Sequence, residues 1–242
     1  MRTHWLSAVL PPFLLLLFPV GCDPDRQSEV TTSSAIRTGE APASIEPRVD
    51  ASDATVLTFE IETARSSASF TVEEEFLASA RKRLGINAGI THTTGATRDV
   101  AGSLKLRVDG DSVTVLGGSF TANLSALRSD QKLRDRTLRD HFLESASFPL
   151  ARFVITEVSD IPEAYAGGEI VRFQMTGEMT IREISHELIF EVSIALNGDT
   201  LSGTATTSLY MADYGIDPPS FAGLLEVKDG VTIEIVFVAH KK

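Results

Sequence analysis

The chain has 242 residues, 43% of them hydrophobic and 23% charged, which suits one large or two small domains with a sizeable core. Its formal net charge of −11 argues against a nucleic-acid-binding surface, because contact with phosphate backbones requires clustered Lys and Arg. The only cysteine is Cys22, so a cysteine-based metal cluster is not indicated.

Residues 1–21 have the pattern of an export signal. Arg2 precedes an apolar run over residues 5–18, which is shorter than the roughly 20 residues of a membrane span. The aliphatic and small residues Val20 and Gly21 before Cys22 resemble a bacterial lipoprotein cleavage site. We therefore predict that Cys22 is lipidated and anchors the protein to a membrane, on the periplasmic or extracytoplasmic side of a bacterial envelope. The alternative is an ordinary signal peptide cut nearby, which leaves Cys22 as a free thiol.

Residues 22–54 predict a disordered tether after the lipidated cysteine. They are rich in Ser, Thr and Pro and contain hardly any large apolar side chain. Such a composition buries too little surface to offset the entropy of ordering the chain. A flexible segment of this length spans on the order of 30 Å, enough to hold residues 55–242 clear of lipid headgroups.

From Thr55 onward, apolar and polar residues alternate with the period of β-strands. The pattern predicts eight or nine strands with one apolar face, with tight turns at Asp109-Gly110-Asp111 and Asn197-Gly198-Asp199. Short antiparallel strands form either a sandwich or a closed barrel, and the lack of a protected edge strand favours a barrel. Residues 78–98 interrupt the pattern, with an expected helical turn over residues 78–84, a stop at Gly85 and then a loop rich in Thr and Gly.

Residues 130–153 contain the one long segment that is neither strand-like nor tether-like. Ser129 or Asp130 is suited to cap a helix, and Leu133, Leu138 and Phe142 recur at roughly helical spacing. Arginine and aspartate alternate along the segment, as expected for a helix with a solvated outer face. We predict one short charged helix that acts as a lid or plug for the barrel.

Catalytic motifs are absent from the sequence. His186-Glu187 begins like a zinc-protease helix, but Phe190 occupies the position of the second histidine. There is no G-x-S-x-G motif and no glycine-rich phosphate loop. An enzyme would need a polar constellation, for which Asp213, Tyr214 and His141 are the candidates. We predict a protein that is not an enzyme and that has no catalytic residues, no metal site and no cofactor.

Separated motifs, occurring in the expected order, resemble the YceI-like family. The longest combines Arg134-Asp135, Leu138-Arg139, Phe142, Phe148-Pro149, Ala151 and Phe153, similar to the family pattern R-D-x-x-L-R…F-P-x-A-x-F. Residues 69–72, 177–181 and 213–215 provide further pieces, so the resemblance covers about residues 57–239. It implies an all-β fold, a lipocalin-like antiparallel eight-stranded β-barrel with one short helix in a long connection. The resemblance gives Arg134, Asp135, Leu138, Arg139 and Asp213 structural roles.

The resemblance also implies a function. Family members hold long apolar molecules in the barrel lumen, so we expect a polyisoprenoid or isoprenoid-quinone-like chain, stored or transported at the cell envelope. The expected lumen residues are Phe70, Phe120, Leu124, Phe142, Phe153, Phe173, Met175, Met179, Phe190, Tyr214 and Phe237. None of them is charged, so the lumen would be dry and would accept only apolar chains.

Three positions depart from the family pattern, namely Thr137, Glu183 and Met211. Met211 stands where relatives often have an arginine, so a phosphate or carboxylate head group is less expected here. A second interpretation stays open, because a filled barrel and a hollow one have the same alternation. In that case the protein is a structural, interaction or stress-related envelope barrel without a lumen ligand.

Overall fold

The computed structural model describes residues 54–109, 112–162 and 168–242. The predicted signal peptide, Cys22 and nearly all of the tether lie outside the described residues, as do Gly110 and Asp111 of the first predicted turn. The strands are β1 (Thr55–Ile61), β2 (Ser67–Phe76), β3 (Gly89–Thr97), β4 (Val100–Asp109), β5 (Ser112–Asn123), β6 (Leu150–Ser159), β7 (Val171–Ile181), β8 (Ile184–Asn197), β9 (Thr200–Tyr210), β10 (Ser220–Phe221) and β11 (Leu225–Lys241). The helices are α1 (Ala78–Leu84) and α2 (Lys132–Thr137), and α2 continues into a π-helical turn over Leu138–Phe142.

Eight strands close into an antiparallel barrel in the order β1, β4, β5, β6, β7, β8, β9, β11. The ring closes where β11 pairs with β1, with Ile61 opposite Ala239. This architecture confirms the predicted eight-stranded antiparallel barrel. The turn at residues 197–199 is also confirmed, since Gly198 adopts a left-handed φ of 59° between β8 and β9.

Three strands project beyond one end of the barrel. At this end β9 stops at Tyr210, which pairs with Gly230 of β11. β11 extends further, as far as Leu225, and there it pairs with Phe76 of β2. β3 pairs along the other edge of β2, and α1 joins the two strands. Gly85 ends α1 with a φ of 72°, which confirms the helical turn and its predicted stop.

Residues 124–149, which connect β5 to β6 and which we call the covering segment, close over the same end of the barrel. The Leu124 N–H donates to the Pro149 carbonyl, with an N···O distance of 2.7 Å. Arg128 exchanges two backbone hydrogen bonds with Ala96 of β3, at 2.8 and 2.9 Å. The covering segment carries α2, so a helix lies over the barrel end as the sequence predicts.

The details of α2 differ from the prediction. The helix begins after Gln131 without a side-chain cap, and Asp135 reaches back instead to accept hydrogen bonds from the N–H and hydroxyl of Ser129 at 2.7 and 2.6 Å. Leu133 was expected on the apolar face but is 74% exposed. Leu133 and Leu138 have a spacing of five positions, whereas neighbours on one face of a helix are three or four positions apart. The two leucines therefore lie on different sides of the helix.

Residues 89–97 form a strand, β3, and the prediction of a loop there is wrong. The inward positions of β3 are Thr93, Gly95 and Thr97, which are all buried. Gly95 lies beneath the ring of Phe70 on β2, since a Cβ at Gly95 would come within 2.7 Å of the Phe70 Cζ. The usual alternation of large apolar residues is missing because the neighbouring strand supplies the apolar surface.

Candidate functional site

A cavity of about 170 Å³ lies inside the barrel beneath the covering segment and is open along part of its boundary. Every strand from β1 to β7 contributes to the wall, together with β9 and β11. The covering segment contributes Leu124, Leu127, Leu138, Phe142 and Leu143. Residues 211–219, between β9 and β10, complete the rim with Met211, Tyr214, Ile216 and Pro219. Among the described residues, no Lys, Arg, Asp, Glu or His lines the cavity, so the walls that they form are almost wholly apolar.

Three aromatic rings of the cavity wall lie against glycines of neighbouring strands. If each glycine carried a Cβ atom, that atom would clash with the ring. The Cβ would lie 2.7 Å from the Phe70 Cζ at Gly95, 2.6 Å from the Phe120 Cδ1 at Gly102 and 2.5 Å from the Phe153 Cζ at Gly177. A glycine in a strand permits this close approach, since it has no side chain of its own. The rings therefore cover the strand backbone, and the glycines in β3, β4 and β7 are the sequence signal for this arrangement.

Seven of the predicted lumen residues line this cavity: Phe70, Phe120, Leu124, Phe142, Phe153, Met179 and Tyr214. Phe173 lines a second, smaller cavity of about 40 Å³. Met175, Phe190 and Phe237 are buried in the core and line neither cavity. A binding role for these residues stays a prediction, but the structure brings together only part of the set.

Several lining residues lie outside the predicted set, which consists mainly of aromatic residues and methionine. They include Ile233 and Ile235 of β11, Leu209 of β9, and Leu143 of the covering segment. The strand residues among them follow the same inward alternation and were therefore accessible from sequence. The sequence predicts a structural role for Leu138, and the structure shows that Leu138 also lines the cavity.

A packed layer of side chains separates the two cavities. Along β7, Met179 lines the larger cavity, Met175 lies in the layer and Phe173 lines the smaller cavity. The rings of Phe153 and Phe190 meet edge to face with centroids 4.8 Å apart, and Phe190 is 1% exposed. The interior is thus filled in the middle and hollow towards the covered end, and a chain running through the whole barrel would have to displace this layer.

The covering segment is fixed by the charged residues of the sequence motif. Arg134 lies 3.6 Å from Glu74 of β2, which is almost fully buried, and also pairs with Asp130. The Arg139 guanidinium donates to the Leu127 carbonyl at 3.0 Å. The Arg134–Glu74 pair thus joins the covering segment to β2, whereas the contacts of Arg139 with Leu127 and of Asp135 with Ser129 hold the covering segment together internally.

The three candidates for an enzymatic site do not meet in the cavity. Burial, followed by the charge of Asp213, raises the pKa of Tyr214 to about 12. Its phenol therefore stays protonated at neutral pH, and it donates a weak hydrogen bond of 3.5 Å to the Met179 carbonyl. Asp213 and His141 are exposed and line neither cavity. The Asp213 backbone carbonyl accepts a hydrogen bond from the His186 Nε2 at 2.8 Å.

Within the described residues, no group of three or more His, Cys, Asp or Glu side chains is arranged to hold a metal ion. No helix in this part of the chain has the length and hydropathy that a membrane crossing requires.

The fold and cavity define a closed antiparallel β-barrel with an apolar interior pocket under a helical connection. Residues 59–239 match the YceI-like domain family, and the chain belongs to that family. No curated protein matches the chain significantly.

Solved structures show the same fold. BcnA of Burkholderia cenocepacia aligns over 74% of this chain and 98% of its own, at 16% identity and a TM-score of 0.52. A polyisoprenoid-binding domain from Saccharophagus degradans aligns over 78% of this chain and all (100%) of its own, at 12% identity and a TM-score of 0.52. The YceI protein of Campylobacter jejuni aligns over 69% of this chain and 96% of its own, at 18% identity and a TM-score of 0.51.

Proposed function

We propose that this protein is an exported lipid-binding protein that holds an apolar, isoprenoid-like chain in the cavity beneath the covering segment. The observation that carries the proposal is an apolar, partly open cavity of about 170 Å³ inside a barrel whose middle is tightly packed. The similarity to a structure described as polyisoprenoid-binding supports the class of ligand. Storage or transport at a bacterial envelope, with Cys22 as lipid anchor, completes the proposal.

The walls select an uncharged ligand. Placing an ionised group among these side chains would cost several kcal/mol without a partner, because charges are strongly favoured by water. Each methylene moved from water into the cavity gains about 0.8 kcal/mol before the cost of ordering the ligand. Met211 on the rim supplies no positive charge for a phosphate or carboxylate head. A weakly polar head, such as an alcohol or a quinone ring, fits these walls best.

The packed layer determines how the ligand lies. The inner end of the chain stops above Met175 and Phe190, which line neither cavity. The remainder of a long chain extends towards the open part of the boundary, between the covering segment and residues 211–219. The ligand therefore occupies the covered half of the barrel, and the smaller cavity near Phe173 plays no part in binding.

Binding is favoured over catalysis because the polar candidates lie apart. Of the residues in the described ranges that line the larger cavity, Tyr214 is the one titratable residue, and its raised pKa of about 12 makes it a poor base. A barrel that serves only as a structural or interaction module is the competing interpretation, and it requires no ligand in the cavity.

The test is organic extraction of the purified protein followed by mass spectrometry. Phe120→Asp places a carboxylate in the larger cavity, while Val154→Asp, at a position that is 36% exposed on the adjacent strand β6, is the matched control. We expect wild type and Val154→Asp to carry the same apolar compound and folded Phe120→Asp to lose it. Equal recovery from all three proteins would refute binding in this cavity, and no recovered compound from any of them would favour the structural interpretation.

A further inference from the structure

The connection between β2 and β3 carries a concentration of positive charge that contrasts with the rest of the protein. Residues 77–90, which we call the basic tip, contain Arg81, Lys82 and Arg83 but no Asp or Glu. The chain as a whole has a net charge of −11. All three cations are exposed on α1, and no salt bridge in the described part of the chain involves them. The basic tip therefore presents a cluster of uncompensated positive charge to solvent.

Large apolar side chains accompany these cations. Leu84 is 59% exposed, Ile86 39% and Ile90 62%, and they lie within the same 14 residues. The only side chain that α1 buries is that of Ala80. Phe221, in the adjacent hairpin, is 44% exposed, and the neighbouring Leu224 carbonyl accepts a hydrogen bond from the Leu77 N–H at 2.9 Å. Exposed apolar residues next to clustered cations are typical of segments that bind at a membrane interface.

The basic tip lies at the end of the barrel that holds the larger cavity. Val72 of β2 lines that cavity, and Phe76, four residues further along the strand, immediately precedes the basic tip. A strand rises about 3.3 Å per residue, so the basic tip, which begins five residues after Val72, starts roughly 16 Å beyond this part of the cavity wall. Pro219 lines the cavity as well, and the chain then continues directly into Phe221.

We propose that the basic tip docks on the surface of an anionic lipid bilayer. Arg and Lys side chains are attracted to the negative surface potential, while Leu84, Ile86 and Ile90 enter the boundary between headgroups and acyl chains. The acidic remainder of the protein is repelled by the same surface, which orients the molecule with the basic tip towards the bilayer. Behind the basic tip, Glu75 lies opposite Ile90 of β3 and Glu226 of β11, and Lys228 pairs with Glu75 at 2.6 Å, which offsets one of these two carboxylates.

Docking in this orientation brings the covered end of the barrel to the bilayer, so that an apolar chain can pass between membrane and cavity. This consequence rests on the proposed lipid-binding function, whereas docking itself does not.

The test uses a tryptophan placed in the basic tip of the mature chain, residues 22–242, carrying Cys22→Ser so that neither the predicted signal peptide nor a lipid anchor binds the vesicles. Trp5 is the only natural tryptophan and lies in the predicted signal peptide, so Ile86→Trp gives a local signal. Its emission is measured with phosphatidylcholine vesicles that contain or lack phosphatidylglycerol. Ile189→Trp, at a position that is 51% exposed on the barrel wall, is the matched control. We expect a blue shift for Ile86→Trp with anionic vesicles alone, and no shift for Ile189→Trp.

A second variant tests the role of charge. Replacing Arg81, Lys82 and Arg83 by Gln should weaken partitioning at low salt by roughly 100-fold, at about fivefold for each cation near an anionic surface. No shift at Ile86→Trp, an equal shift at Ile189→Trp, or undiminished partitioning of the Gln variant would overturn the proposal. Because these measurements need no ligand, a negative extraction experiment would refute the proposed function and leave the docking result intact.

Discussion

Gly95→Ala tests whether the aromatic rings of the cavity wall depend on their glycine partners. The added methyl group would come within 2.7 Å of the Phe70 Cζ, whereas the nearest backbone atom, the Arg128 oxygen, is at an ordinary 3.4 Å. Carbon atoms pack at about 3.5 to 4.0 Å, so the ring has to move by about 1 Å. Since the ring lines the larger cavity, we expect this movement to narrow it.

The magnitude follows from two opposing effects. Overpacking costs about 1 to 3 kcal/mol, while replacing glycine by alanine in a strand gains about 0.5 to 1 kcal/mol. Gly95→Ala should therefore lower the free energy of unfolding by up to about 2 kcal/mol. In a Phe70→Leu background the ring is gone, and the same substitution should be neutral or stabilising by about 0.5 to 1 kcal/mol. The two substitutions should thus be coupled by about 1 to 3 kcal/mol.

The assay is urea unfolding of the four proteins of this double-mutant cycle, with binding of an uncharged naphthylamine dye as the measure of cavity size. Gly230→Ala is the control, because a Cβ there meets nothing within 4 Å. We expect the control to keep full dye binding and Gly95→Ala to bind less. Additive stability effects, within about 0.5 kcal/mol, or unchanged dye binding by Gly95→Ala would refute the reasoning.

Further predictions concern a buried phenol, the covering segment and the N-terminal cysteine. The pKa of Tyr214 is raised from 10.0 to about 12, so the folded state holds the phenol proton more tightly than the unfolded state does. The free energy of unfolding should therefore keep its full value below pH 10 and decrease as the pH rises from 10 to 12. The free energy of unfolding should fall by roughly 3 kcal/mol at most over this pH range. Tyr214→Phe should remove this part of the pH dependence in urea unfolding, and the same pH dependence in Tyr214→Phe as in wild type would contradict the prediction. Arg134→Ala leaves the buried Glu74 without its ion pair and should lower the free energy of unfolding by about 1 to 3 kcal/mol without loss of ligand. Adding Glu74→Gln to Arg134→Ala should partly restore the free energy of unfolding. If Arg134→Ala instead keeps full stability but loses the ligand, Arg134 contacts the ligand head group. Cys22→Ser should release the protein from the membrane fraction, and sedimentation equal to wild type would disprove the lipid anchor.

The local pattern of the chain was sufficient for most of the secondary structure. Alternation places Phe153, Met179 and Ile235 on the inner face wherever the strands pair, because side chains in a strand point alternately to opposite faces. Gly85 ends α1 through its left-handed backbone, a property that depends only on the local residue. The covering segment was recognisable from its helical spacing and from the motif that follows it.

Tertiary structure decided what the interior contains. Phe153 and Phe190 are 37 residues apart in the chain, and their meeting at 4.8 Å helps to form the packed layer that bounds the larger cavity. The Phe70 ring can pack closely against the β3 backbone because the register of β2 and β3 places Gly95 opposite it. The ion pair between Arg134 and Glu74 likewise joins the covering segment to β2, two segments that lie far apart in the sequence. Alternation specifies which way a side chain points, but the cavity depends on which side chains meet, and that is fixed only when the strands are paired in register.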